Sequence, residues 1–130
     1  MARYLTKLKL EPIILHEQAN RGRTVIEKFE THSDVAFAVV LFTPDDIGYP
    51  KDHPEEFKPR ARQNVVLELG FFMASLGRDR VCVVYKSGVE VPSDYAGILY
   101  HQIDDAGAWR LLLAREIKEA GLDIDLNNAV

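Results

Sequence analysis

Helical spacing and solid apolar runs alternate along the chain, and each change of period marks an element. Residues 2–10 put Tyr4, Leu5 and Leu8 on one face and Lys7 and Lys9 on the other, which predicts a short amphipathic helix that Pro12 cannot continue. Residues 12–15, rich in isoleucine, predict a short buried strand, and polar residues 18–23, with Gly22 inside, a loop. Residues 24–32 hold Val25, Ile26 and Phe29 at helical spacing, and Thr24 with Glu27 has the form of a capping box. Residues 35–42 (VAFAVVLF) are apolar without alternation, the mark of a strand covered on both faces in a parallel sheet. Residues 43–59, with Pro44, Gly48, Pro50, Pro54 and Pro59, predict a long irregular loop.

The second half repeats the pattern. Residues 60–76 carry the strongest helical pattern, with Gly77 as the C-terminal cap. Residues 80–85 (RVCVVY) predict a second buried strand, 86–97 a loop, and 98–103 an alternating strand suited to a sheet edge. Residues 106–120 predict an amphipathic helix with Trp109, Leu112, Leu113 and Ile117 turned inward and Gly121 at its end. The order α-β-α-β-α-β-β-α predicts an open α/β sheet with right-handed crossovers. Ligands of such sheets bind beyond the carboxyl ends of the strands, which feed residues 18–23, 43–59 and 86–97.

Composition narrows the partners. The 130 residues fit one domain, 1–130, and a net charge of -4 argues against a module for nucleic-acid polymers. A small anionic ligand stays open, because a few local arginines suffice. The single cysteine, Cys82, allows no internal disulfide and suits a reducing compartment. The longest apolar run is far short of a membrane span, and the first twelve residues lack a signal peptide's apolar stretch. The expectation is a soluble cytoplasmic domain with no membrane partner. A phosphate loop of the G-x-x-x-x-G-K-[ST] or G-x-G-x-x-G type is absent.

The main chemical clue is one glutamate. Projected at 100° per residue, the apolar residues of 60–76 cover nearly the whole circumference, while Asn64, Glu68 and Ser75 share an arc of roughly 40°. Such a helix is expected to be buried. A carboxylate there is costly unless paired or protonated. Glu68 is therefore either a structural group satisfied by an arginine or backbone N–H groups, or a site carboxylate facing a polar pocket with Asn64 one turn earlier.

The stretch RARQNVVLELGFF, with EPIILHEQANRGRTVIEKFE before it and RVCVVYKSGVEVPSDYAGILY after it, resembles the bacterial TIR-like effector domain of cyclic-nucleotide-activated antiphage systems, sometimes fused to a STING domain. The likeness runs from Tyr4 to Asn127. It implies a flavodoxin-like three-layer TIR fold with a mostly parallel sheet. It also implies hydrolysis of NAD⁺, as substrate and not cofactor, to nicotinamide and an ADP-ribose product, with Glu68 of the N-x-x-x-E-L-G-F-F helix as catalytic residue. Nicotinamide leaves a cationic substrate as a neutral molecule and needs no general acid, so one carboxylate is enough. The resemblance further implies a homo-oligomer held by TIR–TIR contacts and a cyclic-nucleotide sensor domain in cis or trans.

Arg60 and Arg62, just before the helix, are candidates for the pyrophosphate, alongside surface-charge and ion-pair readings. Asp94 is either a turn residue or part of the nucleotide pocket, and Tyr95 is placed to stack on a base. Arg23, in the loop at 18–24, could reach an anion. Asp45 and Asp46 make a poor metal pair, since no third ligand stands at ligand spacing, and no metal is expected.

Two other classes share parts of this pattern. Nucleoside deoxyribosyltransferase-like enzymes also use a Glu before a Gly on a helix, and base exchange on a deoxynucleoside would identify them. A non-catalytic TIR self-association module would lack the helix carboxylate. The chain departs from the family in starting inside the first helix, without the preceding Val-Phe-Ile-Val type strand. That strand lies between 12–15 and 35–42 in the family's sheet, so the expectation is a fragment with weak or no NAD⁺ cleavage by itself.

Overall fold

The structure, a computed structural model, describes residues 1–15, 35–92 and 97–130. The chain enters through helix α1 (Ala2–Lys7). It then forms strand β1 (Ala38–Phe42) and a short antiparallel ribbon of β2 (Asp46–Gly48) and β3 (Lys58–Arg60). Helix α2 (Gln63–Leu76) leads to β4 (Val81–Tyr85), β5 (Leu99–Gln102) and helix α3 (Ala108–Glu119). Short 3-10 turns occupy Pro54–Glu56, Arg78–Arg80 and Leu126–Asn128.

The main sheet has the order β1-β4-β5 with both pairings parallel. The register runs from Ala38 opposite Val81 to Phe42 opposite Tyr85, and from Cys82 opposite Leu99 to Tyr85 opposite Gln102. A parallel neighbour needs a crossover, and α2 supplies it between β1 and β4.

Period-2 alternation sorts the central strand onto two cores. Val81 and Val83 join Ala38, Val40, Phe42, Leu69 and Phe72 under α2. Cys82 and Val84 face the other way, onto Tyr4 and Leu8 at the N-terminal helix and Trp109, Leu113, Ala114 and Ile117 of α3. The result is the expected three-layer α/β arrangement, α2 over the sheet over α1 and α3. Both faces of β4 are covered, so its valines are at most 2% exposed, and each contributes roughly 1.5–3 kcal/mol by burial.

Several expectations change. Residues 12–15 form no strand, and Ile13 is 48% exposed. Pro12 has no N–H to give to a ladder, and no described strand runs beside the segment. The second face of β1 is covered only in part among the described residues, with Val39 half-buried against the α1–α3 core and Leu41 38% exposed. α2 starts at Gln63 rather than at residue 60, since Lys58–Arg60 are drawn into the ribbon and Arg62 is extended at φ -59 and ψ 149. The ribbon itself lies inside the stretch expected to be irregular. Leu112 is 40% exposed, off the Trp109–Leu113–Ile117 stripe that α3 buries. Gly77 ends α2 as expected, at φ 84, where a side chain would be strained. The helix expected at 24–32 and the loop at 18–23 lie outside the described residues.

Candidate functional site

The carboxyl end of the parallel sheet is closed by three segments that hold one another. Lys86 N–H donates to the Phe42 carbonyl at 3.1 Å, joining the exits of β1 and β4. The ribbon lies against the segment after β4. Arg60 bridges to Glu90 in parallel fashion, and Glu90 N–H donates to the Pro59 carbonyl at 2.8 Å. Tyr100 of β5 donates its hydroxyl to the Pro92 carbonyl at 3.1 Å, which fixes the chain just ahead of residue 93. The N-terminus of α2 leaves from this same edge, and Glu68 follows roughly 8 Å along its axis.

Glu68 is half-buried. It stands one turn before Phe72 and next to Leu69, the two residues of α2 that are fully inside. The expectation that α2 is buried all round is corrected, since Leu67 is 51% exposed and Ala74 is exposed. Among the described residues the sheet packs on one side of the helix, through β1 and β4, and does not enclose its whole apolar circumference. Asn64 and Ser75, which share the polar arc with Glu68, are both exposed. The carboxylate therefore lies at the margin between core and solvent, with Asn64 beside it on the outer side.

The two arginines ahead of α2 differ. Arg62, at the N-cap, approaches Asp45 with Nε 3.6 Å from Oδ2, and both side chains are well exposed. Asp45 also accepts from the Thr43 hydroxyl, and its backbone N–H donates to the Thr43 carbonyl at 2.8 Å. Asp45 thus organises the exit of β1 and draws Arg62 to it. Arg60 is half-buried on the ribbon, and its Nε is buried without a hydrogen-bond partner among the described residues. Sequence reasoning gave no part to Gly48, Glu90 or Tyr100. The signal for the first was a glycine between two apolar residues in a proline-rich stretch; the others had none. Arg23, Asp94 and Tyr95 lie outside the described residues.

Two other features stand apart from this edge. A surface cavity of about 390 Å³ lined by Arg3, Tyr4, Lys7, Trp109 and Arg110 lies on the α1–α3 layer, across the sheet from α2. Exposed His53, Glu55 and Glu56 bring donor atoms within 4.8 Å of one another on the turn between β2 and β3.

The fold and this edge define a TIR-type α/β domain. The chain matches the family described as CAP12/Pycsar effector protein, TIR domain, over residues 1–105, and it belongs to that family. It is 47% identical over 131 residues to "Uncharacterized protein YuaY" of Escherichia coli (strain K12), an alignment covering 100% of this chain and 44% of that protein. It is 33% identical over 112 residues to Protein tirC of Dictyostelium discoideum, covering 77% and 55% of the two chains. It is 42% identical over 64 residues to the Pycsar effector protein BcPycTIR of Burkholderia cepacia, covering 48% and 20%. The chain spans about half the length of the first two relatives. No described helix is long and apolar enough to cross a membrane.

Proposed function

We propose that this chain is the NAD⁺-cleaving domain of an antiphage effector and that Glu68 is its catalytic residue. The observation that carries the reading is the position of Glu68, half-buried on the second turn of α2, at the carboxyl edge of a parallel sheet and behind two arginines. Open α/β sheets bind ligands at that edge. A partly desolvated carboxylate stabilises the positive charge that gathers on the ribose as the C1′–N bond breaks. The bonding pair leaves with the nicotinamide nitrogen, which becomes neutral. Water then adds its oxygen to C1′ and releases a proton, giving ADP-ribose. Asn64, one turn before Glu68, is placed for a ribose hydroxyl, and one of the two arginines for the pyrophosphate. Arg23, Asp94 and Tyr95 are the further substrate-binding residues of this reading.

Activation by assembly belongs to the same reading. The relatives named as Pycsar effectors support an effector role; in this reading the effector acts downstream of a cyclic-nucleotide signal, with a sensor domain in cis or trans that brings copies together. One face of the ribbon supports contacts between copies. Ile47 pairs with Pro59 across the strands, and Ile47, Tyr49 and Phe57 are 60%, 55% and 59% exposed. An NAD⁺ substrate and the free Cys82 both suit the cytoplasm.

The test is nicotinamide release from NAD⁺ by the domain joined to its sensor, with and without the activating cyclic nucleotide. Glu68→Gln is expected to lower turnover by about a hundredfold or more while thermal melting is unchanged. Wild-type turnover matched by Glu68→Gln rejects the assignment, and base exchange on a deoxynucleoside without NAD⁺ cleavage favours a deoxyribosyltransferase.

A further inference from the structure

In the ribbon, paired residues share a face, so Asp46 and Arg60, one register pair, lie on the same side as Gly48 and Lys58. The Arg60 side chain folds back along that face over Gly48. A Cβ at position 48 would stand 2.7 Å from Arg60 Nη1, 2.8 Å from Cδ and 2.9 Å from Nε, closer than real Cβ contacts come. Gly48 is not among the glycines with positive φ, which are Gly77, Gly88, Gly97, Gly107 and Gly121. Its backbone is one that any residue adopts, so what position 48 requires is room for the arginine.

The rest of the surroundings hold Arg60 without satisfying it. Its backbone is tied to the segment after β4 through the Glu90 bridge, and the next residue, Ala61, is 2% exposed. Its Nε is nonetheless buried without a partner among the described residues. A buried donor left without an acceptor costs about 1–3 kcal/mol, and nothing among the described residues claims this guanidinium as an ion-pair partner. Arg62, by contrast, already has Asp45.

The geometry points to Arg60, seated on Gly48, as the group that binds the diphosphate of the dinucleotide, with Gly48 as its positioning residue and Arg62 as a structural partner of Asp45. This assignment rests on the NAD⁺ reading of the Glu68 site. A guanidinium fork suits a diphosphate because it offers parallel N–H donors to two oxygens.

The experiment is calorimetric titration of the domain joined to its sensor with ADP-ribose, which carries the diphosphate and needs no turnover; thermal melting checks each variant's fold. Gly48→Ala and Arg60→Gln are each expected to weaken binding by about tenfold or more, the equivalent of one charge-assisted hydrogen bond. Arg62→Gln is expected to stay within about twofold of wild type. On an Arg60→Ala background, Gly48→Ala is expected to add no further loss, because its effect acts through Arg60. Arg60→Gln changes no backbone contact and decides the matter if Gly48→Ala loosens the ribbon. Unchanged affinity in Arg60→Gln, or a Gly48→Ala loss that persists undiminished on Arg60→Ala, overturns the assignment and leaves the Glu68 reading standing. A wild-type protein, sensor included, that does not bind ADP-ribose overturns both.

Discussion

Tyr4 meets Trp109 edge to face, with ring centroids 5.3 Å apart and planes at 66°, and this contact ties the first helix of the chain to the last. The Tyr4 hydroxyl donates to the Arg110 carbonyl, and the Arg110 guanidinium lies 5.5 Å from the Trp109 ring centre. These groups close the core on which Cys82 and Val84 rest. Trp109→Ala is expected to destabilise the domain by about 3–5 kcal/mol, and Tyr4→Phe by about 1 kcal/mol, since the latter keeps the ring and loses only the hydrogen bond. Urea unfolding followed by far-UV dichroism measures both. A Tyr4→Phe loss as large as that of Trp109→Ala would show that the hydroxyl, rather than the ring packing, holds α1.

Asp104 caps α3 from outside the helix. Its carboxylate accepts from the Ala108 and Trp109 N–H groups, each at 3.0 Å. The Ala108 bond first, and the Trp109 bond next, hold its pKa below the ordinary 3.8. A depressed carboxylate stabilises the fold above its unfolded value and loses that contribution as pH falls through the folded one. Asp104→Asn should therefore lower the melting temperature at pH 7 and flatten its acid dependence below about pH 4. Parallel acid-melting curves for the two proteins would show that the cap does not titrate with unfolding.

Much of this architecture is legible in the sequence because its signals are local. The solid run VCVVY forms a strand buried on both faces, and the 3.6-residue stripe of Trp109, Leu113 and Ile117 forms the inner face of α3. What is not legible depends on neighbours. Residues 12–15 have strand-like composition, but a strand exists only where another strand pairs with it. The ribbon was hidden because three-residue strands leave no periodicity, and Pro59 looks like a breaker unless its carbonyl is seen to meet Glu90 N–H. Glu68 stands out as polar in an apolar helix, whereas the difference between Arg60 and Arg62 depends on what each one reaches, Asp45 for Arg62 and no described partner for the Nε of Arg60. Gly48 stands out as a glycine between two apolar residues, but the close approach of Arg60 to it is visible only in the structure.

Cys82 should be inert in the folded chain. Burial, with Glu116 adding to it, pushes its thiol up from the ordinary 9.0 to about 12. The thiolate is the reactive form, so a disulfide reagent at pH 8 is expected to leave the native protein unmodified and to titrate the thiol fully in denaturant. The raised pKa also sets a pH dependence. The contribution of the neutral buried thiol is intact below 9.0 and is lost as pH climbs toward about 12. Prompt labelling of native protein would mean that the α3 layer opens readily.

The outer face of the ribbon sets the last prediction, which depends on the proposed activation by assembly. Ile47, Tyr49 and Phe57 present apolar side chains to solvent on a short ribbon fixed to the sheet edge that also carries Arg60. Burying one such side chain between copies is worth roughly 1.5–3 kcal/mol, so exchanging it for a charge is expected to weaken self-association by about tenfold or more. Ile47→Asp and Phe57→Asp should each lower the weight-average mass in light scattering at concentrations where wild type assembles. Leu111→Asp, an exposed residue of α3 across the sheet, should not. Binding of ADP-ribose should be unchanged in the same variants, because Ile47 and Pro59 face away from Gly48 and Arg60. A mass that falls equally in all three variants would place the contact between copies elsewhere, and a fall in ligand binding that tracks the fall in mass would make the pocket itself a product of assembly.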